Sequence, residues 1–255
     1  MCSLHYETTN FALNPVGQNT SRLLNVSLVT VPSSLTFISE HETDGWCLAA
    51  HHRQDGDMLI GTSNGIQLLN RDGNELSEYS TSEEVVTGVI ETPQNVFTLH
   101  GESHISKVEM YLAGDITKKQ QLFQFDRTAL GAAVMAVSDR YVVVSHPDTK
   151  QLIIYDFITK QTETIHPDVY PFGLHFLPDG HLLGVGGDKL MKYKVEKRKL
   201  NTVWTCDGVT DGYSVCTDSD SLIYVSGMSL KLLYIISPSG TLLKHLYAAS
   251  RKLQI

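Results

Sequence analysis

No apolar stretch of 18 residues, no signal-peptide pattern and no CxxC pair occurs anywhere in the 255 residues. The first two absences exclude a membrane-spanning helix and a secretory leader as readings of this sequence, so no membrane partner is expected. Four cysteines, Cys2, Cys47, Cys206 and Cys216, are too few and too scattered for a disulfide framework, and a reduced, cytoplasmic chain is the expectation. Asn19 and Asn25 begin sequons that would matter only in a secreted protein. Catalytic signatures are missing as well: there is no GxSxG elbow, no HExxH, no P-loop and no Rossmann GxGxxG. The glycine-rich run Gly184-Val185-Gly186-Gly187 sits between apolar runs, with no helix to point at a phosphate, and reads as a hinge between strands.

Short apolar runs punctuated by turns make up most of the chain. In Pro171 to Val195 the runs FGLHF, HLLGVG and KLMKYKV are separated by Pro178-Asp179-Gly180 and by the glycine run. Gly accepts positive φ and Asp caps the bend, so this is a meander of antiparallel strands. The same arrangement recurs from Gly45 to Asn70, Thr87 to Leu112, Gly131 to Phe157 and Gly212 to Ile236. Aligning Asp55, Gln94, Asp139, Asp179 and Asp220 gives intervals of 39, 45, 40 and 41 residues, the length of a four-stranded propeller blade.

Each copy ends in a more polar fourth run: ELSEYS, KKQQLFQF, QTETIH, LNTVWTC and TLLKHLY. An innermost strand is covered on both faces by neighbouring blades, whereas an outermost strand meets water. The expected fold class is therefore all-β, a β-propeller of four-stranded antiparallel blades. SRLLNVSLVTV and SLTFISE resemble the third and fourth strands of another blade, so the expected ring has six blades, five clear repeats plus a partial N-terminal one. Closure would pair the two chain ends. A five-bladed ring, an open fragment of a longer chain and a β-sandwich are the alternatives. Residues 1–20, rich in Asn, Thr and Ser, are expected to be flexible, and residues 21–255 to form a single monomeric propeller domain.

The order of turn, strand, PDG-type turn, strand ending near Gly, and a third strand like KLMKYKV resembles the NHL repeats at the C-terminus of tripartite-motif (TRIM-NHL) proteins. The resemblance covers Gly45 to about Tyr247, without the RING, B-box or coiled coil of the complete family members. It implies a recognition module for a protein partner or RNA, with no ligase chemistry and no cofactor of its own. A six-bladed hydrolase of the lactonase type, holding a metal in the central channel, is the enzymatic alternative. Its ligands would come from strand-entry positions, here Asp44, Thr87, Thr128, Tyr170 and Asp211, only two of which are carboxylates.

Candidate contact residues lie where the chain crosses from an outer strand to the next inner one: Asp44 and Trp46, Phe172, and Asp211 and Tyr213. Loops from all blades meet there around the channel mouth, and aromatic side chains in such loops either anchor a partner or wedge between blades. The formal charge of −8 disfavours RNA, since an acidic chain gains no general attraction to phosphates. A lysine-rich exception runs from Lys189 to Lys199 and includes Lys192 and Lys194; it is either a solvated hairpin or a patch for phosphate or an acidic peptide. No metal site is expected. His100 and His146, at strand ends of consecutive copies, together with His51 and His52, are the minority candidates for one.

Overall fold

A computed structural model describes residues 31, 47–53, 55–80, 85–101, 104–113, 115–126, 133–146, 149–196, 199–227 and 232–247. These form five four-stranded antiparallel sheets and no helix. The first blade comprises β1 (Cys47–His52), β2 (Met58–Thr62), β3 (Gly65–Leu69) and β4 (Glu75–Ser80). The second comprises β5 (Val85–Glu91), β6 (Asn95–Gly101), β7 (Ile105–Leu112) and β8 (Asp115–Asp126), and the third β9 (Met135–Val137), β10 (Tyr141–His146), β11 (Gln151–Asp156) and β12 (Gln161–Ile165). The fourth comprises β13 (Gly173–Phe176), β14 (Leu182–Gly186), β15 (Lys189–Glu196) and β16 (Lys199–Cys206), and the fifth β17 (Gly212–Thr217), β18 (Ile223–Gly227), β19 (Leu232–Ile236) and β20 (Leu242–Tyr247). In every blade the strands pair in sequence order, as in a simple meander.

Turn chemistry sets the register. In the fourth blade Gly180 adopts φ 80° and donates its N–H to the Leu177 carbonyl at 2.9 Å, while Asp179 Oδ1 accepts the His181 N–H at 3.0 Å. The first blade repeats this with Gly56 at φ 94° and Asp55 accepting the Asp57 N–H. Both bends place two apolar strands back to back, as the Asp-Gly spacing requires.

Blades stack through alternating side chains. Along β10, Val142 and Val144 enter the layer shared with the second blade, beside Phe97, Leu99 and Tyr155. Tyr141 and Val143 point the other way, against Leu174, Leu182 and Tyr193 of the fourth blade. A strand buried on both faces has no polar side to show, which is why YVVVSH is an unbroken apolar run up to its last two residues. The outer strand β16 has mostly exposed or half-exposed residues, as its polar sequence demands.

The inner strands pack in the order β1, β5, β9, β13, β17, and no comparable packing joins β17 to β1 among the described residues. Where six blades were expected, the described residues form five. The first and fifth blades each take all four strands from consecutive chain, so neither borrows a strand from the opposite end. The residues assigned to a partial N-terminal blade, like residues 1–20, lie outside the described residues. Val31 is the exception, and it packs against Leu222, Tyr224, Ile235 and Leu246 on the far face of the fifth blade.

Candidate functional site

The loops joining one blade to the next bring three aromatic rings together at one end of the fourth and fifth blades. Tyr170 and Phe172 precede β13, and Tyr213 lies at the start of β17. Phe172 meets Tyr170 edge to face, with centroids 5.6 Å apart, and lies nearly parallel to Tyr213, 6.4 Å away at 22°. Both arrangements suit the aromatic quadrupole. Phe172 is nonetheless 47% exposed.

Backbone contacts hold the rings in place. The Phe172 N–H donates to the Val185 carbonyl at 2.7 Å, and the Gly212 N–H to the Gly187 carbonyl at 3.0 Å, so the crossings into β13 and β17 are both tied to the end of β14. The glycines there are required by contact. A Cβ on Gly186 would fall 2.0 Å from the Tyr170 carbonyl oxygen, and one on Gly173 would fall 2.7 Å from that of Tyr213. The run Gly184 to Gly186 is therefore interior to β14, which corrects its reading as a hinge between strands; only Gly187, at φ 59°, belongs to the turn.

Acidic residues border this platform. Asp211 takes the left-handed conformation, φ 57°, and its N–H donates to Asp188 Oδ1 at 3.3 Å. Tyr234 Oη locks the preceding residue by donating to the Thr210 carbonyl at 2.9 Å and accepting the Thr210 N–H at 3.1 Å. Sequence reasoning placed Tyr170 at a strand entry without naming it a contact residue, and missed Asp188 as a member of this group. The signal for Asp188 was indirect: two glycines ending a strand just ahead of an Asp mark a place where another backbone approaches.

Lys192 and Lys194 sit elsewhere. Lys192 is at the end of the fourth blade that carries the Asp179 turn, opposite to Phe172, and its ammonium pairs with Asp179 at 2.9 Å. Burial pushes the Asp179 carboxyl up, but Lys192 and the His181 N–H and ring outweigh it and hold the pKa down to about 2. Lys194 pairs with Glu196, and Lys189 with Asp207 at 3.4 Å. Lys192 and Lys194 thus form local ion pairs away from the aromatic platform, whereas Lys189, opposite Gly186, lies at the platform end of the hairpin. Asp44 and Trp46 lie outside the described residues, as does Thr128.

The histidines do not converge either. His100 shares the side of β6 that faces the first blade with Val96, whereas His146 shares the side of β10 that faces the second with Val142 and Val144. They enter different layers. His100 Nε2 is 2.6 Å from Thr98 Oγ1 and 3.4 Å from Glu109 Oε2, and Tyr111 Oη donates to the same Glu109 oxygen at 2.6 Å. The His146 ring packs on Phe125 at 5.1 Å. Among the described residues no group of three or more His, Cys, Asp or Glu side chains could hold a metal. Of the positions suggested for calcium, Thr87 lies within β5 and donates to the Leu99 carbonyl at 3.3 Å, Tyr170 and Asp211 belong to the crossings, and Asp44 and Thr128 lie outside the described residues.

Near the axis, His175 on β13 is hydrogen-bonded to Thr217 on β17 at 2.9 Å. Burial, and to a smaller extent the charge of His51 on the first blade, lower the His175 pKa to about 4. At the same end, Arg53 grips Glu91 through Nε at 2.6 Å and Nη2 at 3.3 Å, clipping the first blade to the second.

The class is thus defined as a β-propeller of four-stranded antiparallel blades carrying an exposed aromatic platform at a loop end. Among solved structures, the chain resembles a protein of unknown function from Bacteroides caccae, with 15% identity and a TM-score of 0.63 over 86% of this chain and 88% of that one. It also resembles a chain of a nidogen/laminin complex, at 10% identity and TM-score 0.62 over 79% and 80%. Virginiamycin B lyase from Staphylococcus aureus matches at 10% identity and TM-score 0.55 over 80% and 71%. At such identities the likeness is one of fold. No protein-family model matches the chain, and no curated protein matches it by sequence. No helix among the described residues is long and apolar enough to cross a membrane.

Proposed function

We propose that this propeller is a non-enzymatic interaction module of the NHL-like kind, cytoplasmic and monomeric, which binds a protein partner through the loop end bearing Tyr170, Phe172 and Tyr213. The observation that carries this reading is Phe172: a large ring 47% exposed, yet stacked on Tyr213 and held by a backbone hydrogen bond. A pre-positioned aromatic loses little conformational freedom on binding and makes a natural anchor. RNA is a weaker reading, because the charge of −8 opposes it and Lys192 and Lys194 are paired at the opposite end of the blade.

A photo-crosslinking side chain installed at position 172, and in parallel at Ile158, tests the reading in cells. Ile158 is 71% exposed on the turn between β11 and β12, at the other end of the blades, and so reports nonspecific capture. Protein adducts at 172 and not at 158 are expected. Equal capture at both positions would sink the proposal, and nucleic-acid adducts at 172 would replace the protein partner with RNA.

A further inference from the structure

The platform is edged by negative charge. Asp188, in the turn between β14 and β15, and Asp211, in the crossing into β17, stand on the two segments tied together by the Gly212 to Gly187 hydrogen bond, and Lys189, which follows Asp188, pairs with Asp207 at 3.4 Å. An anionic ligand would meet the field of these carboxylates on top of the chain's overall charge of −8. A cation would be drawn by both the carboxylates and the negative face of the exposed ring.

The molecule already builds such an arrangement from its own residues. The Arg140 guanidinium lies 4.9 Å from the centroid of the Tyr141 ring while pairing with Asp156 at 3.0 Å. At Phe172 the ring stacks on Tyr213 of the next blade, Asp211 stands two residues before Tyr213, and Phe172 presents nearly half of its area to solvent.

We infer that this surface takes a cationic side chain, an arginine ahead of a lysine, from a basic segment of a protein partner, with the charge over Phe172 and with Asp188 and Asp211 as counter-ions. Arginine is favoured because its plane stacks on an aromatic face while its edge donates to carboxylates. The inference rests on the loop-end reading above and specifies the chemistry of the partner. The crossing loops are held by the Thr210 to Tyr234 and Phe172 to Val185 hydrogen bonds, so the rings and acids are in place before binding.

The test is fluorescence anisotropy with a labelled peptide that alternates Gly-Ser with Arg, alongside versions carrying Lys, citrulline or Glu and a single-stranded uridine oligonucleotide. The Arg peptide is expected to bind best, Lys less well, and citrulline and Glu not at all. Phe172→Leu, which keeps apolar volume and removes the π face, should weaken Arg binding about three- to tenfold, with Phe172→Tyr retaining it. Asp188→Asn with Asp211→Asn should weaken it and flatten its salt dependence. Unchanged melting temperatures establish that each variant is folded. Equal binding of citrulline and Arg, or oligonucleotide binding without Arg binding, would overturn the inference. Should crosslinks at 172 capture protein while no cationic peptide binds, the inference fails and the loop-end reading stands. If cationic peptides bind and Phe172→Leu changes nothing, the cation sits elsewhere and the inference fails, while the crosslinks at 172 and 158 still decide the loop-end reading.

Discussion

His175 and Thr217 join the inner strands of the fourth and fifth blades through one hydrogen bond, 2.9 Å long, beside the axis. The imidazole is neutral there, because burial and the His51 charge lower its pKa from 6.5 to about 4. A group depressed in the folded state is protonated first in the unfolded chain. Its stabilising effect is complete above about pH 6.5 and is lost as pH falls toward 4. Melting temperature should therefore decline across that window, and His175→Gln should shallow the decline. An unchanged slope in the variant would show that His175 is not the group responsible. Asp179, depressed from 3.8 to about 2, acts only below the window and does not confuse it.

Glu109 is 3% exposed, with Tyr111 Oη at 2.6 Å and the charged atoms of Lys119 and Lys107 at 3.4 and 3.6 Å. Burial opposes its ionisation, but the Tyr111 hydroxyl and the charges of His100, Lys107 and Lys119 hold its pKa below the ordinary value. Removing the carboxylate takes an acceptor from the Tyr111 hydroxyl and a counter-charge from Lys107 and Lys119. Glu109→Ala should destabilise by about 3 kcal/mol in denaturant unfolding, and a loss below about 1 kcal/mol would mean that the network is dispensable.

Arg53 and Glu91 form a two-point clip between the first two blades, with their side chains 26% and 17% exposed. Glu91→Gln keeps the shape and removes the charge, so the expected loss is about 1–2 kcal/mol. Hydrogen exchange should quicken in β1 and β5 and stay unchanged in the fourth blade. Uniform quickening across all blades would argue against a local clip.

Blade boundaries were legible because every copy carries its own turn residues and its own polar last strand: ELSEYS became β4, and the Pro178-Asp179-Gly180 bend was found where it was read. Blade number was not legible. The third- and fourth-strand patterns read before Trp46 lie, apart from Val31, outside the described residues, and how many blades a ring holds depends on long-range contacts that no local pattern encodes. The candidate site was half legible. The crossings from an outer strand to the next inner one located Phe172, Asp211 and Tyr213, while strand direction, which needs the register, placed Lys192 and Lys194 at the opposite end. For the same reason the spacing of His100 and His146 could not reveal that they enter different layers: the side on which a strand residue lands depends on the parity of the register.

Two glycines of the fourth blade separate steric need from conformational need. Gly173 has a common backbone conformation, but a Cβ there would lie 2.7 Å from the Tyr213 carbonyl oxygen and 2.8 Å from Ser214 Cα, backbone atoms of the next blade that cannot step aside. Gly180 has nothing within 4 Å of its missing Cβ but holds φ 80°. Gly173→Ala must push the fourth and fifth blades apart and should cost about 2–3 kcal/mol. Gly180→Ala strains one turn, for about 1 kcal/mol. Only the first substitution should also disturb the Phe172 and Tyr213 stack, visible as shifts of their ring resonances. A larger loss at Gly180 than at Gly173 would mean that turn geometry, rather than the close approach of the two blades, dominates stability here.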